Sequence, residues 1–345
     1  MTSRERMCKV LNHEIPDRLP TFEYAIDKKV IQEICPGGDF ADLVEELGLD
    51  AITAWEPSGG GYAEGLEERK PGDTFLDDWG VTRKANTEML PYPLDEFSPV
   101  KTMEDLKKFE PPDPYREDRY VMLRKYIDRF KGRTFINYML FDVFETAKNL
   151  MGLENFLISS FENLDLIRGV YELGTEWVIE VCRKAIDIGA DMINLAGDIG
   201  YNSGTFIDPK VVEEIHIPSL KKIVNFIKQR RAYVFNHCHG NVYEVLDSLA
   251  NSGIDVLHPI DPEAGMDISA VHKIYRNHIV VGGNVSTDLL SRGSAKDVIE
   301  STKHLIDATS FGGSYIVMAA SSLHSAVKGE NYRAMVETVQ SYGEY

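Results

Sequence analysis

Two histidines one residue apart, His237 and His239, give this chain its clearest chemical signature. On an extended backbone alternate side chains share a face, so both imidazoles would point one way and Cys238 the other. At the end of a strand such a pair can grip one metal ion, or it can hydrogen-bond a polar substrate. Gly240 lets the backbone turn tightly beneath the pair, and Cys238 is expected to pack toward helices. Asp198, Asp142 or Glu23 could add a third ligand or protonate a leaving group, and His324 or His258 could do either job. A carboxyl in that role needs a pKa raised by burial. Tyr24, Trp55, Tyr138, His258 and Asn284 are candidate substrate contacts, with Phe22, Trp55 and Tyr138 forming an apolar wall. Several of these residues have a second, structural reading. Asp142 and Asp198 could cap the helices that follow them. His258, just before Pro259, could be a hydrogen-bonded core histidine, and the aromatics could be plain core.

The elements that must position these residues are short apolar runs alternating with longer helical patterns. The runs cover residues 19–24, 50–54, 134–138, 191–195, 232–236, 255–258, 279–282 and 314–318. They are rich in β-branched and aromatic residues, as buried parallel strands are. Eight of them predict a single (β/α)8 TIM barrel spanning residues 1–345. In that architecture functional residues lie just past the C-terminal strand ends. Each candidate above closes or follows one run. Between the runs, helix signals are plain. Thr102 and Ser294 each stand three residues before an aspartate, as capping residues do. Asp208-Pro209 starts a helix that Pro218 should kink or split. A long amphipathic segment at 164–188 stops at Gly189. The stretch between the second and third runs holds a small antiparallel hairpin excursion around Asp77–Arg83, then a proline cluster and a helix over 115–131. Gly59-Gly60-Gly61 reads as a mobile loop near the mouth and lacks the spacing of a nucleotide-binding loop.

Composition narrows the function classes. The 345 residues carry 55 acidic and 37 basic side chains, a net charge of −18. That balance argues against nucleic acid and anionic membrane as partners. Four scattered cysteines make no disulfide framework, and no apolar stretch reaches the ~18 residues of a membrane span. The charged N-terminal segment lacks the apolar core of a signal peptide, so a cytoplasmic enzyme is expected. A homodimer is compatible with these features.

Several motifs together resemble the uroporphyrinogen-decarboxylase-like family across nearly the whole chain. They are Gly189-Ala190-Asp191 through Asp198, the proline-bearing helix around Pro218, His237-Cys238-His239-Gly240 and Gly253-Ile254-Asp255-Val256-Leu257-His258-Pro259. Val281-Gly282-Gly283-Asn284, Glu330-Asn331-Tyr332-Arg333, Pro16-Asp17-Arg18-Leu19-Pro20 and Asp78-Trp79-Gly80-Val81 complete the set. The resemblance implies a barrel that either decarboxylates a tetrapyrrole or moves a methyl group to or from a corrinoid protein. The family's decarboxylases carry an arginine-rich segment after the first strand. Here residues 21–29 contain no arginine, and their first charged residue is Glu23. Decarboxylation of a tetrapyrrole such as uroporphyrinogen is therefore the alternative. The family's coenzyme M methyltransferases hold zinc with His-x-Cys and a later cysteine. This chain has His237-x-His239, and Ala320-Ser321-Ser322 near the later position. Imidazole and carboxylate ligands leave zinc a stronger Lewis acid than thiolates do. That suits release of a methyl group from an oxygen. The resemblance thus implies a zinc-assisted methyltransferase acting on a small, methoxylated donor. A partner cobalamin-binding protein would carry the corrinoid.

Overall fold

Seven of the apolar runs form strands of one parallel sheet, in a computed structural model that describes residues 1–57, 70–86 and 91–345. They are β1 (Ala51–Trp55), β5 (Phe135–Phe141), β6 (Met192–Ala196), β9 (Tyr233–His237), β10 (Val256–His258), β11 (Val280–Val285) and β12 (Tyr315–Ala319), and they neighbour one another in that order. Every position of β1, β6, β11 and β12 is buried, which is why these runs lack polar alternation. One apolar cluster fills the space between the sheet and the helices. A second, with Phe22, Trp55, Met139, Phe235 and Met318, lies on the sheet's other face.

The eighth expected run, at 19–24, does not form a strand, which corrects the eight-strand count. Its backbone still reaches both ends of the sheet. Val317 N donates to Pro20 O at 3.0 Å, and Asp50 N donates to Thr21 O at 2.9 Å. Isolated parallel bridges join Thr21 to Val317 and Ile26 to Leu323. Regular pairing fails for two local reasons. Pro20 has no N–H to give a ladder. Thr21 N is taken by the Asp50 carboxylate at 2.9 Å, and the same carboxylate is held by Arg6 at 2.5 Å and Arg18 at 2.9 Å.

The helix signals resolve as follows. Helix Leu164–Ile188 ends at Gly189, whose φ of 127° suits glycine. Thr102 and Ser294 each make a full capping box. The helix around Pro218 is split, with a π-helical turn at Val212–His216 running into Ile217–Gln229. The helix expected over 115–131 is shorter, Val121–Phe130, and follows a 3-10 turn at Glu117–Tyr120.

After β1 the chain leaves the sheet and returns a three-stranded antiparallel sheet, β2 (Thr74–Leu76), β3 (Thr82–Lys84) and β4 (Tyr92–Pro93). Asp77 builds its turn by accepting from Trp79 N, Val81 N and Arg83 Nε at 2.9, 2.9 and 2.6 Å. Buried Arg119 ties the excursion down by pairing with Glu56, just after β1, and with Asp78. The Gly59–Gly61 loop lies outside the described residues. Two short strands, β7 (Gly200–Tyr201) and β8 (Gly204–Thr205), follow β6 as a hairpin.

Candidate active site

At the C-terminal ends of β1, β5, β6 and β9 lies a cavity of about 300 Å³. Its walls include Tyr24, Trp55, Met139, Phe141, Asp198, His237, His239, Ser321 and Ser322 from the sheet end. Arg83, Tyr92 and Pro93 come from the antiparallel excursion. Strand parity decides which side chains arrive. On β5 the side chains of Met139 and Phe141 face the cavity, so Tyr138 and Leu140, which alternate with them, face the helices.

A hydrogen-bond chain fixes the protonation of His237. His258 Nε2 lies 3.0 Å from Ala319 O, which can only accept, so the proton is on Nε2. Burial first, then the neighbouring His237, holds His258 well below the usual histidine range and keeps it neutral. Its Nδ1 is therefore bare and accepts from His237 Nδ1 at 2.8 Å. His237, itself held low by burial and by charge on His239, is left with a bare lone pair on Nε2. That atom lies 3.9 Å from Asp198 Oδ1. Gly282 makes the chain possible. A Cβ there would come within 3.3 Å of His258 Cβ, so the imidazole crosses β11 over a position without a side chain.

His239 is built differently. Its Nδ1 is 3.2 Å from Asp261 and its Nε2 is 3.0 Å from the Ser321 hydroxyl. Burial opposes its charge, but the Asp261 hydrogen bond and the charges of Asp198 and Asp261 outweigh that, so its pKa is raised. Burial likewise opposes ionisation of Asp261, yet hydrogen bonds from His239 and Gly240 N push it down to about 2. The rings of His237 and His239 meet edge to face with centroids 4.9 Å apart. Asp198 Oδ1 also accepts from His239 N at 2.9 Å, which fixes the carboxylate beside both rings. Gly240, at φ 91°, is required by space as well as conformation. A Cβ there would sit 2.3 Å from the Gly200 backbone.

The cavity thus brings together Asp198, His237, His239, Tyr24 and Trp55 of the expected residues. Trp55 donates from Nε1 to Tyr24 O at 2.8 Å. The Tyr24 hydroxyl faces those of Ser321 and Ser322. The other expected residues lie elsewhere. His258 sits behind His237. Asp142 caps the helix Val143–Met151 from beneath Gly197, where a Cβ would strike its carboxylate at 2.0 Å. Burial raises its pKa to about 7. Glu23 is wholly buried, accepts from Ala319 N at 2.8 Å and points away from the cavity, since Phe22 and Tyr24 on either side take the opposite face. Tyr138 donates to Arg119 O at 3.1 Å. Asn284 donates to Ile260 O at 2.8 Å. His324 accepts from Ala326 N in its own turn, at 3.3 Å. Cys238 is buried in the cluster between sheet and helices. Arg83, Tyr92 and Glu145 line the cavity without having been expected there. The sequence signal for the first two is faint. It is the Asp77–Arg83 turn itself, which gives no hint of where the excursion lands.

Among the described residues, no three His, Cys, Asp or Glu side chains are already grouped to hold a metal ion, and no helix is long and apolar enough to cross a membrane.

Comparison with known proteins agrees with this architecture. The methylcobamide:CoM methyltransferase MtbA of Methanosarcina acetivorans is 21% identical over 348 residues, covering 99% of this chain and 98% of its own length. The protein of the same name from Methanosarcina mazei is 23% identical over 199 residues, 58% of this chain and 56% of its own. A solved methyltransferase structure from Methanosarcina mazei shares the fold with a TM-score of 0.75 at 16% identity, covering 99% of both chains. Residues 95–342, most of the chain, match the family described as uroporphyrinogen decarboxylase (URO-D), and the chain belongs to that family.

Proposed function

We propose that this chain is a one-domain methyltransferase moving a methyl group between a small methylated donor and a corrinoid carried by a partner protein. The observation that carries the reading is the pair of imidazoles, His237 and His239, lining one small cavity, with the Asp198 carboxylate 3.9 Å from His237 Nε2 and bonded to His239 N. Each imidazole has its Nδ1 held from behind, by His258 and by Asp261. That is the outer support that metal-binding histidines characteristically have. The donor set therefore suits zinc in its chemistry. His237 Nε2, His239 Nε2 and Asp198 would hold it, with His239 exchanging its Ser321 contact for the metal. Bound there, zinc would polarise the heteroatom from which the methyl departs.

The protein's own contribution is orientation and exclusion of water. Trp55, Tyr92 and Phe141 supply aromatic walls that hold a planar donor and keep its methyl group in one direction. Asp198 holds the backbone of His239 in place. The relatives named as methylcobamide methyltransferases support the acceptor. A cavity of about 300 Å³ suits a one-ring donor better than a tetrapyrrole, which favours methyl transfer over decarboxylation.

The test is metal content and methyl transfer measured together. Protein purified without chelators should carry about one zinc per chain, lost in His237→Ala and His239→Ala. It should methylate cob(I)alamin from a methoxylated donor. His258→Phe, which removes the acceptor behind His237, should lower kcat/KM or zinc affinity by about 10–100-fold. Zinc content and activity indifferent to all three variants, or conversion of uroporphyrinogen to coproporphyrinogen, would defeat the reading.

A further inference from the structure

The geometry points to Arg83 as the residue that selects a carboxylate-bearing donor, an aromatic acid whose anionic end rests on the guanidinium while its methyl end reaches the histidines. This rests on the reading of the cavity as the methyl-donor site and adds the class of donor.

Arg83 is 3% exposed, yet it lines the cavity. Its immobility is built in. Nε is tied to Asp77 Oδ2 at 2.6 Å, and Nη1 to Pro91 O at 3.4 Å. A guanidinium offers five N–H groups, and these contacts engage Nε and Nη1 and leave Nη2. Among the described residues Nη2 has no hydrogen-bond partner. Asp77 has little left to give the cavity, because its Oδ1 is occupied by Trp79 N and Val81 N. Planar guanidinium edges match carboxylates bidentately, and the match is strongest where water is excluded.

The rest of the wall fits the same ligand. Trp55, Tyr92 and Phe141 provide ring faces, and the cavity volume suits one ring with short substituents. The acidic residues of the wall are already engaged. Glu145 is paired with Lys148 at 2.7 Å, and Asp198 accepts from His239 N. A cationic methyl donor would meet aromatic faces, which attract cations, but would also meet the guanidinium, which repels them. On a chain of net charge −18 an anion gains nothing from the surface at large, so a buried arginine is the local feature that would reverse the sign for it.

Isothermal titration of the purified full-length chain with 4-methoxybenzoate and with neutral 4-methoxybenzamide tests this without requiring turnover. The acid should bind about ten-fold or more tightly than the amide. Arg83→Gln should bring the two within about two-fold, and Arg83→Lys should keep part of the preference. Equal binding of acid and amide to the wild type would overturn the inference, and so would an Arg83→Gln variant that binds the acid as before. Should Arg83→Gln fold poorly, because it leaves Asp77 without its cation, the double variant Asp77→Asn/Arg83→Gln removes that charge, and the wild-type comparison stands alone. Methyl transfer from neutral and anionic donors alike would end this inference and leave the methyltransferase reading intact. An acid bound through Arg83 but never demethylated would do the reverse.

Discussion

Asp142 and Asp198 follow neighbouring strands, yet their surroundings give them opposite characters. Asp198 stands at the cavity wall with an N–H and an imidazole beside it. Asp142 is wholly enclosed, with Oδ1 accepting from Glu145 N and Oδ2 unpartnered 4.0 Å from His216. Burial raises the Asp142 pKa to about 7, above the ordinary carboxyl range near 4. The folded chain therefore binds the proton more tightly than the unfolded chain does. This carboxyl destabilises the fold progressively as pH rises from about 4 to about 7, and no further above that. Asp142→Asn keeps the cap and removes the titration. Its stability relative to wild type should climb with pH across that window, by up to about 4 kcal/mol, in urea melts at a series of pH values. A gap that stays flat with pH would show that Asp142 ionises freely in the fold.

Among the elements, the antiparallel excursion depends most on a single side chain. Arg119 is fully buried and holds Glu56 and Asp78 together, with Trp177 packed against its guanidinium. Arg119→Met removes the buried cation that joins Glu56 to Asp78 and should cost about 3 kcal/mol. Hydrogen exchange should show the loss first at β2 and β3, ahead of the main sheet. The parallel strands were legible because burial on both faces leaves unbroken apolar runs, and seven lie within a few residues of their expected bounds. The run at 19–24 looked the same, but Pro20 and the claim of Asp50 on Thr21 N prevent a ladder there. Placement at the cavity was legible where strand parity was respected, as for His237 and His239. Tyr138 and Glu23 were misplaced because each stands one residue off the inward-facing set. Arg83 was not legible as a site residue, since its position depends on how a distant excursion folds back.

At the scale of the whole molecule, the seam between β12 and β1 is closed by ions as much as by backbone. Asp50 takes Arg6, Arg18 and Thr21 N at once, joining the first helix, the irregular 18–26 segment and β1. Asp50→Ala should leave Arg18 without a carboxylate, Arg6 keeping Asp17, and lower stability by about 3 kcal/mol in chemical denaturation. Tyr24 rides on that segment into the cavity, so donor binding should weaken in the same variant at temperatures where the fold persists. An unchanged melting midpoint would show that backbone pairing alone shuts the seam. Gly282 extends this dependence to chemistry. The bare strand position under His258 lets the Ala319 carbonyl on β12 dictate which nitrogen of the His237 imidazole, three strands away on β9, stays unprotonated. The electron pair that His237 presents to the cavity is therefore preset by main chain remote from it, and whatever binds there finds that pair already in place.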